Sequence, residues 1–146
     1  MDIGTNTILR WTAASLVLAG GLVHLKLWDG TKDWPNDNLS RMFLLNVVAS
    51  VVAAAAVAAW EHWIPVLGAL AVVDGTLLAF GISRTDNGVP FTGIPGQGNF
   101  IERGFDPSPE ALLALVFEVG AAAMLVSVLA TALRAEVRTT PHVRTA

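Results

Sequence analysis

Residues 39–60, LSRMFLLNVVASVVAAAAVAAW, and residues 64–83, IPVLGALAVVDGTLLAFGIS, are separated only by Glu61-His62-Trp63. Each run is about long enough, as a helix, to cross the ~30 Å hydrocarbon core of a bilayer. A turn this short makes the two spans antiparallel neighbours. Pro65 suits the first turn of the second, where its missing N–H is not needed. Asn38 or Ser40 is positioned to cap the first.

Working outward, two further apolar runs occupy residues 11–28 and 111–133. The chain has 146 residues, of which 53% are hydrophobic and only 14% charged, with mean hydropathy +0.57. A soluble domain carries about 25% charged residues, so the deficit agrees with a bilayer as solvent. The expected fold is all-α: an up-down-up-down four-helix transmembrane bundle, with a long Gly/Pro-rich loop between helices 3 and 4. The whole length, 1–146, forms a single domain in this reading. Arg10 is the only basic residue ahead of the first run, and no A-x-A site follows it, so that run reads as a retained span rather than a secretion signal.

Composition also excludes. The net charge of -3 offers no basic surface for nucleic acid. The absence of cysteine removes disulfides, thiolate metal sites and thiol redox chemistry. Gly93-Ile94-Pro95-Gly96-Gln97-Gly98 lacks the G-K-[ST] ending and preceding strand of a phosphate-binding loop.

Tryptophan marks the ends of the spans, because indole suits the headgroup region. Trp11 and Trp28 bracket the first run, Trp60 and Trp63 flank the short turn, and Trp34 lies in the first loop. Lys26 and Arg41 read as interfacial anchors whose stems lie along the helix while the charge reaches water. Glu61, His62 and His142 read as solvated. The basic residues Arg10, Arg134, Arg138 and Arg144 fall on one side, and Lys26, Lys32, Arg41, Arg84 and Arg103 on the other. Acidic residues count for little in the positive-inside rule, and the basic tail tips the reading toward both termini in the cytoplasm.

The connection from Arg84 to Glu110 is too long for a simple turn. Phe91, Phe100, Ile101 and Phe105 argue against disorder. We expect it to lie on the membrane surface and partly cover the bundle. At its end, Ser108 is the expected cap of the fourth helix, with Pro109 at its first position and Glu110 favoured by the helix dipole.

Polar groups within the spans need an explanation, since each is expensive in hydrocarbon. Four stand out, one from each span: His24, Asn46, Asp74 and Glu118. Counting about 1.5 Å rise per residue from the loop-side ends brings all four to the same half of the bundle. His24 shares a helix face with Gly20 and Gly21, Asn46 with Met42 and Ser50, and Glu118 with Ala114, Ala121 and Ala122. Small neighbours of this kind belong to helix interfaces. Such a set can form a hydrogen-bonded knot that fixes helix register, hold the head of an amphipathic ligand, relay protons, or bind a metal. Metal is the weakest of these, because no E-x-x-H pair is present, and no catalytic residue or cofactor is assigned.

The stretches GLVHLKLW (residues 21–28) and MFLLN (residues 42–46), followed by an apolar helix from Ala111 bearing Glu118, resemble those of small four-span bacterial membrane proteins, loosely DoxX-like. The resemblance implies a four-helix bundle and draws attention to His24, Asn46 and Glu118, but it implies no activity. The long third loop departs from the shorter one such proteins would have. Three functions remain: a non-enzymatic accessory or assembly subunit of a larger membrane complex; a redox or proton-handling component binding a quinone-like or lipid ligand at His24, Asp74 and Glu118; and a small oligomeric transporter. The expected partners are the lipid bilayer and either a membrane-protein partner or further copies of the chain.

Overall fold

The computed structural model describes residues 3–33, 37–94, 98–105 and 108–139. Trp34, Pro35, the Pro95-Gly96-Gln97 segment, Asp106, Pro107, His142 and Arg144 lie outside the described residues. Four helices account for most of the chain: α1 (Ile3–Thr31), α2 (Asp37–Ala59), α3 (Trp63–Ser83) and α4 (Glu110–Thr139). Each contains a stretch long and apolar enough to cross a membrane: Asn6–Thr31, Asn38–Ala59, Trp63–Ser83 and Glu110–Arg134. Large apolar side chains such as Leu22, Leu45, Val52, Leu78 and Val116 remain on the outside of the bundle. In water such a surface would be an aggregation liability; in a bilayer it is the lipid face.

α1 packs against α2 and α4, and α3 against the same two helices. The packing is uneven along the bundle. Ala13 and Val17 of α1, Ala53 and Val57 of α2, Val66, Ala69 and Val73 of α3, and Ala121, Leu125 and Val128 of α4 form one buried cluster. These are the early residues of α1 and α3 and the later residues of α2 and α4. The cluster therefore fills the end of the bundle remote from the α3–α4 connection. Small and β-branched side chains let the helices approach closely there, and van der Waals contact holds them.

Arg10 closes this packed end. Its residue exposure is only 3%, and its guanidinium donates to the Val57 carbonyl at 2.5 Å and to the Trp60 carbonyl. The Val57 carbonyl is among those that the end of α2 leaves without intrahelical donors, and the Trp60 carbonyl just beyond it also accepts the His62 N–H at 2.8 Å. A residue that reads in the sequence as a flanking positive charge thus serves as a cap for the neighbouring helix. His62 has a similar role at the start of α3. Its Nδ1 accepts the Ile64 N–H at 3.2 Å, making it the N-cap rather than a solvated turn residue.

Other helix starts differ slightly from expectation. α2 begins at Asp37, so Asn38 and Ser40 lie inside its first turn. Pro109, rather than Ser108, precedes the first residue of α4, and its carbonyl accepts the Leu113 N–H at 3.0 Å.

The α3–α4 connection is more ordered than a loop. β1 (Val89–Ile94) pairs antiparallel with β2 (Gly98–Phe100), with Val89 opposite Phe100. Buried Thr92 ties the hairpin together: its hydroxyl donates to the Val89 carbonyl at 2.5 Å and accepts the Phe100 N–H at 3.1 Å. A clasp then fastens the hairpin to the end of α3. The Glu102 N–H donates to the Ser83 carbonyl at 2.8 Å and the Ser83 hydroxyl donates to the Glu102 carboxylate at 3.2 Å. Arg84 pairs with Glu102 at 3.3 Å and donates to the Gly104 carbonyl. Its guanidinium lies 4.1 Å from the Phe80 ring centre and 4.8 Å from that of Phe105.

Candidate functional site

The hairpin end of the bundle is hollow. A cavity of about 320 Å³ lies among the four helices beneath Val89, Phe100 and Glu102. This is within the size range of small-molecule sites. Its walls are mostly apolar, from Leu27, Leu39, Phe43, Val72, Leu77, Phe80 and Leu115 among others. The polar residues that reach it are His24, Asn46, Thr76, Ser83, Glu102 and Glu118. The exposed residues Met42, Leu45 and Gly75 also line it, so its wall reaches the outside of the bundle between α2 and α3.

Three of the four polar residues singled out in the spans meet at this cavity. His24 is 6% and Glu118 3% exposed, although they come from different helices. Both are placed by Gly20. The Gly20 carbonyl accepts the Nδ1–H of His24 at 2.9 Å. A carbonyl can only accept, so Nδ1 carries a proton, and in the neutral ring Nε2 is then an acceptor. On the other side, a Cβ at Gly20 would stand 2.9 Å from Glu118 Oε1, so the missing side chain is the space the carboxyl occupies. Phe43 packs its ring 5.9 Å from that of His24.

Asn46 is held by its neighbours. Its Nδ2 donates to the Thr76 hydroxyl at 2.5 Å, bridging α2 to α3, and its Oδ1 accepts from Ser50 at 3.2 Å. Thr76 in turn donates to the Val72 carbonyl at 3.0 Å. Thr76 carries no charge and its hydroxyl bonds back to its own helix, so nothing in the sequence distinguished it from an ordinary span residue.

Asp74 does not belong to the site. It is exposed on α3 and absent from the cavity wall. The reason is angular. Val73 is buried and Thr76 lines the cavity, and at about 100° per residue Asp74 falls roughly 200° round the helix from Thr76. Depth placed it with the others, but azimuth removed it. No hydrogen bond or ion pair reaches it among the described residues.

Nor do the remaining three form a hydrogen-bonded knot. Asn46 bonds to Ser50 and Thr76, His24 to its own helix, and among the described residues no hydrogen bond or ion pair joins Glu118 to any of them. Among the described residues, no three His, Asp or Glu side chains converge as a metal-holding group.

The anchor residues divide. Trp11 and Trp60 are 59% and 58% exposed, and Lys26 and Arg41 are exposed. Trp28 and Trp63 are half-buried, Trp63 with its ring 5.4 Å from that of His62. The elements the sequence did not single out are Glu102 and Ser83, which reach the cavity from the hairpin clasp.

No family model, curated protein or solved structure matches this chain.

Proposed function

We propose that this protein is a multi-pass membrane protein that holds a bilayer-borne amphiphile, a lipid or quinone-like molecule, in the cavity beneath the hairpin. The head lies toward His24, Asn46 and Glu118 and the tail leaves between α2 and α3. The observation that carries this reading is Glu118: a residue only 3% exposed, on the wall of an apolar cavity, whose carboxyl has no protein hydrogen-bond partner among the described residues. Buried polar groups in native proteins are almost always satisfied, so a partner brought by a ligand accounts for it. The topology of this reading is up-down-up-down, with both termini cytoplasmic on the strength of Arg134, Arg138 and Arg144.

The test is gentle solubilisation followed by mass spectrometry of co-purifying small molecules. A stoichiometric amphiphile in wild type, lost in a cavity-filling Ala114→Phe variant, is the expected result. Equal lipid content in both proteins rejects the reading.

A second reading, the accessory subunit, rests on Asp74. A carboxylate in mid-span on the lipid-facing side of α3, without an internal partner among the described residues, is expensive in hydrocarbon. Contact with another membrane protein, or with a further copy of this chain, relieves that cost. The two readings are compatible, since they use opposite faces of α3.

A further inference from the structure

The cavity carries a chemical preference in addition to a shape. We infer that it selects an amphiphile whose head offers a hydroxyl donor and carries no negative charge, an inference that rests on the ligand-holding function proposed above.

Two buried side chains present acceptors to the head of the ligand. His24 spends its Nδ1–H on the Gly20 carbonyl at 2.9 Å, which leaves Nε2 of the neutral ring as an acceptor on the cavity wall. Glu118 adds carboxyl oxygens, and both side chains are more than nine-tenths buried. Because both pack against Gly20, one through its carbonyl and the other through its missing side chain, the two groups address the same end of the cavity. A hydroxyl placed there donates to an acceptor that the described residues leave unpaired.

Positive charge is what the wall lacks. Among the described residues, no lysine or arginine lines the cavity. Arg84, next in sequence to Ser83 on the wall, pairs with Glu102, donates to the Gly104 carbonyl and lies against Phe80 and Phe105, with its Nε buried and without a partner among the described residues. A phosphate head beside Glu118 would have no lysine or arginine on the cavity wall to neutralise it, Arg84 being already paired with Glu102. The route points the same way. Access between Met42, Leu45 and Gly75 is from the lipid side, and a neutral head crosses hydrocarbon far more readily than a charged one. Ordinary phospholipids are therefore rejected by their heads, although their tails would fit the apolar walls.

Three probes with the same tail separate these terms: para-decylphenol, its methyl ether, and decyl phosphate. Binding is measured on the full chain in phosphatidylcholine nanodiscs, as saturable uptake above that of empty discs. We expect the phenol to bind at least about tenfold more tightly than either analogue, the cost of leaving a buried acceptor unpaired. The preference for phenol over ether should vanish in His24→Phe. Should that variant fail to fold, the three affinities on wild type decide alone. Equal binding of phenol and ether, or phosphate binding as tight as phenol, overturns the donor selection while leaving the cavity a ligand site. Absence of saturable uptake of any probe overturns the ligand-holding function itself.

Discussion

Gly20 and Glu118 occupy each other's space: a Cβ on Gly20 would stand 2.9 Å from Oε1 of the glutamate. The atom that would have to move is the far end of a flexible side chain. Gly20→Ala should therefore displace the carboxyl while changing stability by less than about 1 kcal/mol. Gly21 provides the contrast, because a Cβ there would lie 2.7 Å from Ser50 Cβ, which cannot swing aside. Gly21→Ala should cost about 1–3 kcal/mol. Thermal unfolding of both variants in the same detergent checks the difference, and equal losses would mean that Glu118 is as tightly held as the helix interface.

Arg10 should matter to stability and not to the cavity. Arg10→Met removes the guanidinium donor from the Val57 carbonyl and leaves the Trp60 carbonyl with the His62 N–H alone, a loss of about 1–3 kcal/mol. Because this residue lies at the opposite end from His24 and Glu118, retention of a co-purified amphiphile should be unchanged. Denaturation midpoints and lipid content, measured on the same preparation, separate the two effects.

Thr76→Val removes the hydroxyl through which Asn46 reaches α3 from α2. A loss of about 0.5–1.5 kcal/mol is expected, together with a looser gap between the two helices. The chain has no cysteine of its own, so Ala49→Cys on the cavity wall gives a single reporter. Its labelling by N-ethylmaleimide should be faster in the Thr76→Val background. An unchanged rate would show that the bridge does not control access.

Arg84→Lys keeps the charge at the clasp and loses the planar fork. The guanidinium now meets two aromatic rings, a carboxylate and a carbonyl, and an ammonium cannot serve all four. Each aromatic contact contributes about 0.5–1 kcal/mol. Hydrogen exchange at the Glu102 amide should accelerate by roughly tenfold, with α1 as the internal control. Equal exchange would place the strength of the clasp in the Ser83 contacts instead.

Asp74→Leu should raise the stability of the isolated protein, since a carboxylate at a helix centre costs about 2.5–3.5 kcal/mol on insertion scales. In native membranes the same change should release any membrane protein held at this face. A pull-down that recovers the same partners with and without Asp74 would remove the accessory-subunit reading.

The spans were legible because hydrophobic length is a property of local sequence, and so was the convergence of His24, Asn46 and Glu118, which follows from counting rise per residue. Asp74 shows where that counting stops. Depth can be read from position, but the direction a residue faces depends on which neighbours the helix meets, and the aliphatic surroundings of Asp74 gave no clue. The roles of Arg10 and His62 were hidden for a related reason: a cap is defined by backbone groups of a partner segment that the sequence does not place. The hairpin and its clasp depend on Thr92, Ser83 and Glu102 meeting across the connection, a pattern without periodicity. The cavity itself is a shortage of side-chain volume summed over four helices, and single-chain patterns do not register such a sum.

The buried cluster of alanine and valine lies at one end of the bundle, and the cavity at the other. Every helix is thus divided along its length into a half that holds the assembly together and a half that is spared that duty. Substitutions at Phe43, Ala114 or Leu115 alter the chamber while the foundation below stays intact. Such a scaffold leaves the shape of its chamber free to vary without disturbing the contacts that fold it.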